Sequence, residues 1–490
     1  MTARSWLARL VSIEWIALLV GLAIALPIVR RTVIRAVVTW DAVPGEPAPL
    51  PTGTGPGLAP ASRVRVALID GLGAATAETL PAWSALCKRG LALRVDVGFP
   101  TISLPVEVAL WTGLTQQQTG IVFRSDRPLV PPLDRRGIPA QVPGAVAIAE
   151  NHGWIVRSLG FQRTEPLADP ADPLKDADPD GWAQRWEDHA REAVKSDARL
   201  VFVHVLAVDT AGHHAGVGAE YDKVAHAADA TLARLVAADP DARWFALSDH
   251  GHIAPGGHGG EEKAVRQVDA CIAGPGVAPG RGELVHVVDI ARALADSTGA
   301  VLDRASRGRP MSVALVAPLG PDQALPPIGL GAGALALFIL AAGLGVSSWG
   351  VRRWWLAPWW FVAACGALVV VRGVPTLSMH MVYAPEGREM WLAWAAALPL
   401  AVAATWFGLG HRTVTQVVLA QLALPLAGAA AAITVCGAWP AVVGEHVAPV
   451  VPHFTAYMSA VLLLVAHGAG AITLAIIARL VRPAPPPGVH

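Results

Sequence analysis

RLVFVHVLAVDTAGHH, residues 199–214, decides the fold of this 490-residue chain. Its first nine residues, 199–207, are apolar nearly throughout, with Val at 201, 203 and 205. A strand with one solvated face would alternate apolar and polar residues. A run without a polar face fits a strand covered on both sides, as in a parallel sheet between two helix layers. Asp209 and His213 follow directly, and their i, i+4 spacing puts them on one face of a helical turn. The stretch thus reads as a buried strand that delivers a carboxylate and an imidazole to the end of a sheet.

The same alternation extends outward on both sides. Short β-branched runs predict strands over 64–69, 91–98, 154–160, 242–247 and 269–274, and helical patterns predict helices over 104–112, 181–196, 219–236 and 287–297. This argues for an α/β domain over residues 63–315, with a mostly parallel sheet and helices on both faces. The acidic stretch 165–180 (EPLADPADPLKDADPD) reads as a surface loop, with a substrate lid as the other reading.

Beyond these limits the composition changes. The chain is 53% hydrophobic and only 16% charged, too apolar for an ordinary soluble enzyme, and its zero net charge gives no reason to expect nucleic acid as a partner. Residues 12–29 (SIEWIALLVGLAIALPIV) are long enough to cross a bilayer. Ala23-Ile24-Ala25 resembles a cleavage site, but the basic residues Arg30, Arg31 and Arg35 just beyond favour an uncleaved anchor over 1–42. Residues 43–62, rich in Pro and Gly, form an extended linker. From 325 to 480 about five apolar segments follow, near 325–346, 354–372, 389–409, 414–438 and 455–478, with Trp349, Trp354, Trp355, Trp391 and Trp439 at their ends. Arg352, Arg353, Arg412, Arg479 and Arg482 fall on alternate connections, which places those and the 481–490 tail in the cytoplasm and residues 30–324 outside, against the local vote of Arg30, Arg31 and Arg35. The expectation is an integral protein of a bacterial inner or plasma membrane, with six spans and its enzyme domain on the extracytoplasmic side. The polar residues of the short external loops (His380, Glu386, Glu389, Glu445, His446, His453) read as interfacial. Among the four cysteines, a Cys87–Cys271 disulfide is open to an exported domain, but sequence does not establish it.

The chemistry lies in a series running from 70 to 258: Asp70 in ALIDGLG, Ser103 in FPTISLPVEVALWTG, Asp209 and His213 in VDTAGHH, Asp249 and His250 in SDHGH, and His258 in GGHGG. Carboxylate and imidazole are ligands for zinc, which keeps an open position in catalytic sites. The residues sort into two sites, Asp209–His213–His258 and Asp70–Asp249–His250, with Ser103 as the remaining ligand of the second. Two divalent ions about 4 Å apart can clamp both oxygens of an in-line displacement. Most suited are two Zn2+, with Mn2+ as the alternative. A coordinated Ser103 would be deprotonated, and a position at the start of helix 104–112 would offer a phosphate the helix's positive end. Taken alone, Ser103 reads as a helix N-cap. Gly71 and Gly73 read as turn residues, His204 as a packed, hydrogen-bonded strand residue, and His226 and His286 as surface or helix residues. His214 and His252 lie off the ligand pattern.

The series resembles the alkaline phosphatase superfamily, in particular its phosphodiesterase and phosphoethanolamine-transferase branch. Residues 65–73, 99–113, 202–216 and 247–260 are similar in turn to that branch's Asp-Gly after the first strand, its PTxS/T nucleophile, its D-x-x-G-H and its S-D-H-G with a later G-x-H-G. FVHVLAVDTAGHH with Glu220, Tyr221 and Asp229 is especially similar to GPI ethanolamine phosphate transferases, which share the layout of an anchor, an exported domain and a multispan region, though with more spans. The resemblance implies an alkaline-phosphatase-like fold, two bound metals and a Ser103 nucleophile. Where pyrophosphatase relatives place Pro-Asn-His after the nucleophile, this chain has Pro105-Val106-Glu107. Where they hold the phosphoryl oxygen with an Asn, Arg124 falls nearby and could grip a phosphate bidentately. Sulfatases mature a C/S-x-P-x-R motif, and Glu107 replaces that arginine. The expected function is transfer of phosphoethanolamine from a lipid donor to a glycan or lipid acceptor. The alternatives are phosphodiester, nucleotide pyrophosphate or phosphomonoester hydrolysis, sulfate-ester hydrolysis, and an inactive membrane scaffold.

Overall fold

The computed structural model describes residues 57–121, 137–150, 156, 158–164, 179–253, 256–259, 263–317 and 319. The expected anchor, the multispan region, the tail, Arg124 and most of the 165–180 loop lie outside the described residues. Among the described residues, no helix is long and apolar enough to cross a membrane.

One sheet of eight strands organises the described residues: β1 (Val64–Ile69), β2 (Leu91–Asp96), β3 (Val146–Ala149), β4 (Arg163–Thr164), β5 (Leu200–Val205), β6 (Arg243–Leu247), β7 (Gln267–Ala273) and β8 (Gly280–His286). Their spatial order is β4-β3-β5-β1-β6-β7-β2-β8. β7 runs antiparallel to β6 and β2, and the other pairs are parallel. Among the described residues, the helices of eight or more residues are α1 (Pro81–Lys88), α2 (Ser103–Thr112), α3 (Pro179–Lys195), α4 (Ala207–Ala215), α5 (Ala219–Ala238) and α6 (Val287–Thr298).

Strand alternation explains the two helix layers. On β1, Val64, Val66 and Leu68 face a core completed by α2 and α6, while Ala67 and Ile69 face a second core completed by α1, α3 and α5. Strand β5 divides likewise, with Leu200 and Phe202 on the first face and Val201, Val203 and Val205 on the second. Every residue of β1, β5 and β6 is buried. Each such Val or Leu contributes about 1.5–3 kcal/mol by leaving water, so the central strands hold the sheet edge firmly.

The structure adds to or departs from the sequence reading at three points. Residues 154–160 were expected as a strand, yet Val156 and Ser158 are helical. Buried Val156 and Leu159 stand at i, i+3, a helical spacing that β-branched content conceals. The strands actually present nearby and later, VAIA of β3 and GRGELVH of β8, are too short and too Gly-rich to stand out. Cys87 of α1 and Cys271 of β7 do form a disulfide, with Cα atoms 4.8 Å apart across 184 residues of sequence.

Candidate metal centre

The centre of the sheet places β5, β1 and β6 side by side and parallel, so their C-terminal ends open on one edge, the usual location for sites in such sheets. Asp70 follows β1 directly, Asp249 and His250 follow β6 after Ser248, and α4 brings Asp209 and His213 just beyond β5. His258 comes from the segment between β6 and β7. Ser103 is the first residue of α2, whose N-cap position falls to Ile102. It therefore does not cap the helix; its Oγ lies 3.4 Å from His250 Nε2.

Two groups of ligand atoms assemble, Asp209–His213–His258 and Asp70–Asp249–His250, each with its atoms within 4.8 Å of one another. In the first, Asp209 Oδ1 lies 3.4 Å from His213 Nε2 and 3.5 Å from His258 Nε2, and the two ring nitrogens are 3.1 Å apart. The helical spacing of Asp209 and His213 thus brings both side chains to one face of α4. In the second, His250 Nε2 lies 3.2 Å from Asp70 Oδ1 and 3.4 Å from Asp249 Oδ2. The groups share a wall, because the rings of His250 and His258 stack with centroids 3.7 Å apart.

Hydrogen bonds at the far ring nitrogens set the tautomers. His258 Nδ1 lies 2.8 Å from the Thr101 carbonyl, and His250 Nδ1 lies 3.2 Å from the Gly251 carbonyl. A carbonyl only accepts, so each Nδ1 carries a proton, and each Nε2 is the ring atom turned into the site and left for a cation to displace a proton from. Both oxygens of Asp70 and Oδ2 of Asp249 are buried without an aligned hydrogen-bond donor. Buried carboxylates left so and ring nitrogens converging on them fit divalent cations. The residues present therefore suit a pair of metal ions.

Behind this layer stands a second that the sequence did not reveal. Glu107 of α2 and His204 of β5 are wholly buried. His204 Nε2 lies 3.5 Å from Glu107 Oε1 and 3.3 Å from Asp70 Oδ2. Burial works against the His204 imidazolium, but Glu107 and Asp70 outweigh it and hold its pKa well above the usual value. Burial also pushes the Glu107 carboxyl up, against the pull of His204. Burial and neighbouring Asp209 oppose ionisation of Asp70, yet His204 and His250 bring it below the usual range. Asp249 rises well above its usual value, through burial first and then repulsion by Asp70.

His252, off the expected pattern, also reaches the site, 3.1 Å from Asp209 Oδ1. His214 and His226 are exposed, whereas His286, expected at the surface or in a helix, is buried at the start of α6. Gly71 does more than permit a turn. Its φ of +74° is left-handed, and a Cβ there would come within 2.7 Å of Asp209 Cα. Tyr221 fastens the same loop, donating to the Gly71 carbonyl at 2.6 Å and accepting from the Gly73 amide at 2.8 Å. Asp229 on the same helix accepts from the amides of Ala82 and Trp83, both at 2.8 Å, and so caps α1 from outside. Glu220 is exposed.

No protein-family profile and no curated protein matches the chain. Among solved structures, it is similar to a 2-O GAG sulfatase, with a TM-score of 0.42 and 16% identity over 54% of this chain and 76% of that one. It is also similar to murine ectonucleotide pyrophosphatase/phosphodiesterase 5, with a TM-score of 0.40 and 12% identity over 49% and 96%. A Vibrio parahaemolyticus protein of the alkaline phosphatase superfamily gives a TM-score of 0.38 and 14% identity over 59% and 78%. At such values the functional reading rests on the geometry of the site.

Proposed function

We propose that the chain is a membrane-bound, metal-dependent phosphotransferase or phosphodiesterase working outside the cytoplasm, with Ser103 as its nucleophile. The observation that carries this reading is the position of Ser103. Its hydroxyl opens a ten-residue helix and lies 3.4 Å from His250, beside two convergent ligand groups. Held by those groups, two divalent ions (Zn2+, or Mn2+) would favour the Ser103 alkoxide and offset phosphate charge.

The protein's own part is positioning. Ser103 Oγ forms a bond to phosphorus as the bond from phosphorus to the donor's alcohol oxygen breaks, and the serine proton ends on the departing alcohol. The positive end of α2 favours the anionic phosphoryl group held there. An acceptor hydroxyl then attacks the phosphoserine and releases Ser103; water in its place gives hydrolysis. The apolar segments over 325–480 favour a lipid-linked substrate, such as a phosphatidylethanolamine donor with a glycan or lipid acceptor. The disulfide between Cys87 and Cys271 supports an oxidising, extracytoplasmic setting. Arg124 is proposed to bind the phosphate. Glu107 turns into the protein toward His204 rather than supplying the arginine of the sulfatase motif, which favours phosphorus over sulfur.

Mass spectrometry of envelope lipids and glycans from cells carrying the wild type or Ser103→Ala tests this. The expected result is loss of a phosphoethanolamine increment from one species in the variant. No change in any phosphorylated species would defeat the transferase. Preferential cleavage of aryl sulfates by the purified protein, with formylglycine at position 103, would replace phosphoryl chemistry with sulfate-ester hydrolysis.

A further inference from the structure

The ligand atoms can be grouped in a third way, as Asp209, His250 and His252 within the same 4.8 Å limit. Distance alone would make His252 a metal ligand. Its hydrogen bonds point elsewhere. The Gly257 amide lies 3.0 Å from His252 Nδ1, and an amide N–H only donates, so Nδ1 holds the lone pair. In the neutral ring the proton then resides on Nε2, 3.1 Å from Asp209 Oδ1. His250 and His258 show the opposite pattern, each with Nδ1 against a carbonyl.

We infer that His252 is a positioning residue: its Nε2–H donates to Asp209 and aims that carboxylate, while His250 and His258 ligate. This role rests on the metal centre proposed above. The space for the ring is provided for. A Cβ on Gly71 would come within 2.8 Å of His252 Nε2, and one on Gly212 within 2.5 Å of the ring. Both approaches are closer than a Cβ tolerates, so two glycines on separate elements leave room for one imidazole beside Asp209. The ring is wholly enclosed and has Tyr221 and His213 edge-on, with centroids 6.0 and 5.2 Å away. A donor so held fixes the direction of a carboxylate, as partners of metal ligands generally do.

The test compares metal binding by the full-length wild type, His252→Gln, His252→Leu and His258→Ala, titrated with Zn2+ and with Mn2+. Glutamine can return an N–H donor near the Nε2 position; leucine cannot. The role predicts two equivalents in wild type and His252→Gln with similar affinities. It predicts two equivalents in His252→Leu, one weakened about 10- to 100-fold, and loss of one equivalent in His258→Ala. Loss of a whole equivalent in both His252 variants would make His252 a ligand and overturn the inference while sparing the metal centre. Unchanged affinity in His252→Leu would reduce the ring to filling and also overturn it. A wild type that binds neither ion would remove the metal centre and this role together. In 15N-histidine spectra of the metal-loaded protein, His252 is expected to be protonated on Nε2; protonation on Nδ1 would contradict the assignment independently.

Discussion

His250 and His286 are both wholly buried, and their surroundings drive them in opposite directions. Burial lowers the pKa of each. At His250 the carboxylates of Asp249 and Asp70 outweigh burial and raise it to about 10. At His286 the neighbours are Arg266 and Arg309, which add to burial and lower it to about 3. His286 serves the fold: its Nδ1 accepts from the Val288 amide at 3.3 Å and caps α6. Burial of an imidazole therefore says little about its purpose. Convergent carboxylates without aligned donors mark the region of His250 as one that could hold cations, and the arginines mark that of His286 as structural.

The largest expected effect separates the two regions by chemistry. Ser103→Ala is predicted to lower phosphodiester turnover by at least about three orders of magnitude with both metal equivalents retained. Comparable turnover in the variant would detach the His250 region from catalysis. Next, Asp249→Asn is predicted to weaken one metal equivalent by more than about 100-fold, as read by titration, because it removes a charge from the Asp70–Asp249–His250 group. Third, removing metal with a chelator should lower Tm by about 10 °C, since a cation that binds only the folded chain stabilises it by mass action; equal Tm values with and without chelator would contradict the cation reading.

The smallest effect concerns His286 and pH. Its folded pKa lies below the unfolded value, so between pH 6.5 and about 3 the unfolded chain binds a proton that the folded chain does not. The stability it contributes is whole above 6.5 and is lost as pH falls. His286→Asn, which keeps a side chain suited to capping, is predicted to lose less stability than the wild type between pH 7 and 5 in chemical denaturation. Parallel curves would remove His286 from the pH response.

Much of the inner sheet was legible because its code is local. VRVALI of β1 and the 199–207 run are apolar nearly throughout, and β1 and β5 lie where strands are expected. The assembled ligand groups were legible because Asp70, Asp249 and His250 follow strands within three residues and Asp209 and His213 share a turn. What stayed hidden depends on distant partners. Glu107 is a lone acid in a helix whose every residue is buried, and His204 a lone polar residue in a wholly buried strand. Each is a sign of a buried partner, but only the fold brings them together across 97 positions of sequence. Tautomers, which set His252 apart from His250, depend on backbone groups that no side-chain pattern encodes. The Cys87–Cys271 pairing is hidden for the same reason of distance.

The most direct measurement is intact-mass and peptide analysis of the purified full-length protein quenched during turnover of an aryl phosphate diester with Zn2+ or Mn2+ present. The account predicts a phosphoryl adduct on the peptide carrying Ser103, absent from Ser103→Ala. Turnover without any adduct, or an adduct on another residue, would contradict it.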